Sequence, residues 1–203
     1  QARIPIPPAD VQPQDRQPQQ RSPGADRIGP RAAEVTETPQ TVYLDDLEEI
    51  DSRVACGSLG KHGATGYLKQ ERQSPLLLAT PSIVCSHALS LHPPSKGASY
   101  VAYNLGREFR TFRVTAAILG EGKASAAAMQ ANPLFKGKAY TPLIFKVFGD
   151  GQLLWQSRPI EKSGQWQDCS VRVEGVNLLE LQVHCPGTNA FAWAAWVDPR
   201  LSK

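Results

Sequence analysis

From Thr41 onward the apolar residues recur in short runs broken by glycine, proline and asparagine, with very little of the 3.6-residue repeat that a helix requires. In RTFRVTAAI, residues 110–118, Phe112, Val114, Ala116 and Ile118 fall on one face while Thr111, Arg113 and Thr115 fall on the other. That alternation is the mark of a half-buried antiparallel strand. Comparable stretches at 41–47, 83–91, 99–105, 143–148, 152–157, 168–173, 178–184 and 191–197 bring the predicted strands to nine. So many short strands predict an all-β fold, a sandwich of two antiparallel sheets. The segment 120–142 breaks the rhythm with small residues and reads as a surface insertion.

Turn chemistry sharpens two connections. In VFGDGQLLWQS, residues 147–157, the Asp150-Gly151 pair supplies the positive φ angles of a two-residue hairpin. With those two residues as the turn, Val147 faces Leu154 and Lys146 faces Trp155. Two readings then stand for Trp155: a platform for a ligand, or an indole stacked structurally on the lysine stem. A second hairpin, with its turn centred near 177, sets Cys169 opposite Cys185 and predicts a cross-strand disulfide. Cys56 is left for Cys85, and four free buried thiols are the alternative. His184 and Cys185 are neighbours on one strand and point to opposite faces, and no CxxC spacing occurs, so neither a metal centre nor a cofactor is expected.

Residues 1–40 have a different composition from the body. They hold eight of the seventeen prolines, seven glutamines, five arginines balanced by five acids, and no aromatic residue. Such a segment cannot offset its ordering entropy by burial, so an extended arm or linker is expected, and a protein partner is the natural thing to hold it. The 22 basic and 19 acidic residues of the whole chain give no strong field for nucleic acid or anionic lipid. No apolar run is long enough to span a bilayer. The chain opens on glutamine, which fits a processed extracellular or periplasmic protein and fits a trimmed chain equally.

Catalytic signatures are lacking: there is no G-x-S-x-G elbow, no H-E-x-x-H helix, and GSLGKHGATG has the wrong spacing for a phosphate loop. Asp45, Asp46, Glu48 and Glu49 cluster in sequence, but strand alternation would send Asp45 and Asp46 to opposite faces. A solvated turn is the expectation for them.

Five pieces in order along the body carry a family resemblance: VYLDDLE, SHALSLHPPSKGASYVAYNLGREFRTFRV, FKVFGDGQLLWQS, VRVEGVNLLELQV and AWAAWVDPRL. Together they resemble NPCBM, a family named for carbohydrate binding and found beside glycoside hydrolases, including those of family 98. The resemblance implies a galactose-binding-like jelly roll over residues 41–203, and a non-catalytic, lectin-like module that binds a glycan weakly. It departs from the family where an aspartate-histidine pair usually precedes the last tryptophan, since Ala192 and Trp193 stand there. Trp196 is then the core candidate and Trp193 the surface candidate. The residues expected at a carbohydrate-binding rim are His87, Trp155, Trp193 and Asp198. The alternative is an accessory subunit of a multiprotein assembly that uses the sandwich and the arm for protein contacts.

Overall fold

The computed structural model describes residues 40–63, 77–78, 83–84, 86–119, 141–161 and 165–203. All of the arm expected over 1–40 except Gln40, most of the insertion expected over 120–142, and Cys85 lie outside the described residues. The chain forms β1 (Thr41–Tyr43), a one-turn 3-10 helix (Leu44–Asp46), β2 (Asp51–Arg53), β3 (Leu77–Leu78), β4 (Ile83–Val84) and β5 (Ala88–Leu91). It continues through β6 (Gly97–Asn104), β7 (Thr111–Ile118), β8 (Ile144–Gly149), β9 (Gln152–Gln156), β10 (Trp166–Arg172), β11 (Leu178–Cys185) and β12 (Ala194–Ser202).

These strands make the expected sandwich. One sheet has the order β1-β12-β7-β10, with β5 also paired to β12; the other runs β2-β6-β11-β8-β9; β3 and β4 form a separate ribbon. Alternation decides which side chains meet between the sheets. Phe112, Val114, Ala116 and Ile118 of β7 are all buried, as are Phe145 and Val147 of β8 and Leu179, Leu181 and Val183 of β11. Trp196 of β12 is fully buried at the centre, its ring edge-on to Phe145 at 5.1 Å and to Trp155 at 6.3 Å. Each large side chain withdrawn from water in this way contributes about 1.5–3 kcal/mol to the apolar driving force.

β12 carries the feature that shapes one sheet edge. Its register against β7 shifts between Val197 and Arg200, so Asp198 and Pro199 form a bulge. Proline lacks the N–H that a ladder needs, and inside a sheet it is confined to such places. Asp198 has φ 54°, a left-handed conformation that aspartate tolerates better than most residues. On one side of the bulge Ala194–Val197 pair with β5; on the other Arg200–Ser202 pair with β1. The ends of β1 and β5 therefore meet at the bulge, and the Asp198 N–H donates to the His87 carbonyl at 2.9 Å.

Three expectations are corrected. The segments 168–173 and 178–184 are not a hairpin: β10 pairs with β7, while β11 pairs with β6 and β8 in the opposite sheet. The register that set Cys169 opposite Cys185 does not exist, and both residues are free, buried thiols. The Asp-Gly turn is present, with Asp150 at φ 49° and Gly151 at φ 79°. However, a bulge between Val147 and Phe148 makes Trp155 oppose Val147, and Lys146 oppose Gln156. Trp155 thus turns towards the core. The extra residue is Leu154, whose Cδ1 lies over Gly149, where an added Cβ would come within 2.8 Å of it. Lastly, the first strand stops at Tyr43, and the 3-10 turn that follows replaces strand alternation at Asp45 and Asp46.

Asp150 also ties the hairpin to β11. Its carboxylate accepts the Leu178 N–H at 2.8 Å and the Asn177 N–H at 3.2 Å, and these two bonds hold its pKa below the usual aspartate value.

Burial raises the Cys169 thiol to about 12, so at neutral pH it is neither ionised nor exposed. In protein prepared without reductant, Cys169 and Cys185 are expected to resist alkylation while folded, and both to react after denaturation. Mass spectrometry finding these two cysteines unreactive in the denatured, unreduced chain would contradict the free-thiol assignment.

Candidate functional site

At the β12 bulge an acid-histidine cluster forms. The 3-10 turn carries Asp45 inward, where its side chain has no solvent exposure, and leaves Asp46 half exposed. Asp45 Oδ2 accepts the Ala88 N–H at 3.1 Å, which pins the carboxylate to the start of β5. Asp45 Oδ1 lies 3.2 Å from His87 Nδ1. His87 stacks on Tyr43, with ring centroids 3.7 Å apart and planes within 6°. From the glycine-flanked turn at 60–63, His62 brings Nδ1 to 3.6 Å from both Asp45 Oδ2 and Asp46 Oδ1. That distance exceeds hydrogen-bond range. His62 sits at φ 53° beside Gly63 at φ 71°, and Gly60 bridges to Ser90 of β5, which fixes this turn over the strand. Lys61 turns elsewhere, pairing with Glu49 at 2.9 Å and donating to the Leu47 carbonyl at 2.6 Å.

The four residues expected at one rim are distributed among three places. His87 and Asp198 do meet, through the backbone bond between them, and the Asp198 carboxylate pairs with Arg200. Trp193 lies beyond the other end of the β5–β12 ladder, about 16 Å along the strand from His87 at the usual rise per residue. Its indole meets the edge of His92 at 5.1 Å. Nearby, Asn189 Nδ2 donates to the Pro93 carbonyl at 2.8 Å and Ser95 Oγ donates to Asn189 Oδ1 at 2.7 Å, joining the two loops at this end. Trp155 belongs to the second sheet and packs on Trp196.

A tryptophan outside the expected set has the most open indole. Trp166, the first residue of β10, is 56% exposed. It lines a groove of about 540 Å³ together with Arg158, Pro159, Glu161, Gln165 and Gln167. The groove wall is braced: Gln167 Oε1 accepts the Arg158 N–H at 2.9 Å, Gln167 Nε2 donates to the Arg158 carbonyl at 3.0 Å, and Gln165 Oε1 accepts the Glu161 N–H at 2.9 Å. A planar apolar face is thus bordered by a guanidinium, a carboxylate and amides. Register places Trp166 opposite Ala117, and Ala117 opposite Ala195, so Trp166 stands on the outer face of its sheet, where Trp193 packs against the cluster of Ala88, Ala117, Leu119, Ala195 and Val197. The signal was present in SGQWQD: an indole between two glutamines at the head of a strand whose odd residues, Gln167, Cys169 and Val171, face inward.

Residues 40–202 match the family described as NPCBM/NEW2 domain. Among curated proteins none matches the chain. Solved structures similar to it include the CBM51-2 and INT domains of Clostridium perfringens ZmpB, with 21% identity, a TM-score of 0.60, and coverage of 81% of this chain and 32% of that one. The CBM51 of Clostridium perfringens GH95 in complex with methyl-galactose has 18% identity and a TM-score of 0.57, covering 80% of this chain and 99% of that one. The tandem CBM51 modules of Sp3GH98 from Streptococcus pneumoniae SP3-BS71 have 18% identity and a TM-score of 0.59, covering 80% and 46%. The chain spans about a third of the ZmpB structure, and at these identities the likeness is one of fold.

Burial against this loop end lowers the pKa of His92, with the bond from its ring to the Pro93 carbonyl opposing in part. The neutral ring is favoured in the folded state, so the fold loses stability as pH falls through the ordinary histidine value of about 6.5. Proton-detected titration is expected to place His92 below that value, and Trp193→Ala to bring it back towards it. An unshifted His92 in the intact chain would contradict the packing described.

Proposed function

The chain belongs to the NPCBM/NEW2 domain family, and on that premise we propose that it is a non-catalytic carbohydrate-binding module whose ligand lies on the exposed face of Trp166. The observation that carries this reading is the open indole in a groove bordered by Arg158, Glu161, Gln165 and Gln167. The apolar side of a pyranose ring stacks on such a face, and its hydroxyls take hydrogen bonds from the rim. Among the described residues that line the groove there is one carboxylate, Glu161. Glycoside hydrolysis needs two carboxyl groups flanking the bond, so this arrangement supports binding without turnover. Trp193, on the same outer face, is the second aromatic that a longer glycan could reach. The module works outside the cytoplasm, and its sugar is a weakly held one. A shallow site with one stacked face gives a Kd on the order of 0.1–1 mM, because few contacts must offset the cost of immobilising the ligand.

Methyl-galactose and GlcNAc are the first probes, since CBM51 neighbours were solved with each of them. Titration of the intact chain, followed by a glycan array, is expected to show saturable binding. Trp166→Ala is expected to weaken it about tenfold or more, roughly 1.4 kcal/mol, with little change in melting temperature. Trp155→Ala, by contrast, should lower the melting temperature because it removes packing on Trp196. Binding unchanged in Trp166→Ala, or no glycan bound at millimolar concentration while a pull-down through residues 1–40 recovers a stable protein partner, would replace this reading with that of an assembly subunit.

A further inference from the structure

Asp45 presents a charge problem that the described residues do not solve. Its carboxylate is fully buried, and its ion-pair partners among them are histidines alone, His62 and His87. Asp46, the next residue of the same turn, shares His62. Lys61 lies on the same turn as His62 but is committed to Glu49 and Leu47. A buried carboxylate with no opposite charge is strongly unfavourable.

The geometry points to a divalent metal site of the zinc class, formed by Asp45, Asp46, His62 and His87. One ligand atom from each of the four lies within 4.8 Å of every other. Within the cluster His87 Nδ1 lies 3.2 Å from Asp45 Oδ1, and His62 Nδ1 lies 3.6 Å from Asp45 Oδ2 and 3.6 Å from Asp46 Oδ1. Ligands held 2.0–2.1 Å from a tetrahedral ion stand about 3.3 Å apart, so small side-chain rotations would complete the sphere. Two carboxylates balance the charge of one divalent ion, and two imidazoles supply the nitrogen donors that zinc accepts readily. Calcium and magnesium favour all-oxygen sites of six or more ligands, a number this set does not provide. The supporting contacts are also those of a metal centre: the Ala88 N–H orients Asp45, and Tyr43 holds the plane of His87 by stacking. His62 and Asp46 are each about half exposed, at 54% and 52%, which leaves a path for the ion.

Such an ion would clamp three segments distant in sequence: the turn after β1, the 60–63 turn and the start of β5. Its effect is stabilisation of the fold, and it is separate from the glycan reading, since no residue of the Trp166 groove is a ligand. The test uses the full chain after treatment with a chelator. Zinc is titrated in competition with a chromophoric chelator, and cobalt is added as a reporter of tetrahedral coordination by its visible absorption. Saturable binding of zinc with a rise in melting temperature is expected. His62→Ala and Asp46→Asn remove exposed ligands, so folding is retained, and each should weaken zinc by about 100-fold or more, because loss of even an outer-shell partner costs 10–100-fold. Cys56→Ser and Trp166→Ala should bind zinc as the intact chain does. Absence of saturable zinc binding, uptake unchanged in His62→Ala and Asp46→Asn, or uptake lost in Cys56→Ser would each overturn the proposal.

Discussion

The register shift at Asp198 and Pro199 in β12 is the constraint on which the edge of the first sheet depends. The bulge divides that edge, giving Val197 and the residues before it to β5 and Arg200 and the residues after it to β1. Holding Asp198 in the left-handed region costs about 1 kcal/mol or somewhat more. The bond from its N–H to the His87 carbonyl, together with the ion pair to Arg200, offsets that cost. As a result Tyr43 and His87, 44 positions apart in sequence, stack face to face, and the turn after Tyr43 delivers Asp45 to the same point.

The rest of the molecule follows from burial between the sheets. Trp196 anchors the bulged strand from the inner side, and Phe145 and Trp155 close on it from the opposite sheet. The outer face of the first sheet is left for other uses. At the β10 end of that face stands Trp166, whose indole is exposed because its strand begins there and its inward neighbours are Gln167 and Cys169. β10 ends its sheet's order, and the groove takes in both Trp166 on the outer side and Gln167, which alternation turns inward.

How much of this was legible in the sequence depended on the range of the interaction. Alternation in β7 and the Asp150-Gly151 turn are local, and both are readable; the run of short alternating strands predicts the sandwich, the family pattern agrees with it, and residues 40–202 match that family. Sheet membership is not local. The short link between β10 and β11 resembles a hairpin, yet it crosses between sheets, and the cysteine pairing built on the hairpin fell with it. A one-residue bulge moved Trp155 from beside Lys146 to the core face, a change that residue pattern cannot signal. The acid-histidine cluster was hidden for the same reason. Alternation sends Asp45 and Asp46 to opposite faces only if the strand continues, and it ends at Tyr43; His62 lies in a glycine-rich stretch that reads from sequence as a loop, with nothing local to show that it packs on β5.

Native-state hydrogen exchange at the amides of Asp198 and Ala88 tests the central claim most directly. The Asp198 amide donates to His87 across the bulge, and the Ala88 amide donates to the buried Asp45 carboxylate. If the bulge locks the ends of β1 and β5 together, both amides exchange only through global unfolding, at rates close to those of the core amides of β7 and β11. If instead they exchange as fast as the exposed turn amide of Gly151, the junction opens independently of the core and cannot be what organises this edge of the sheet.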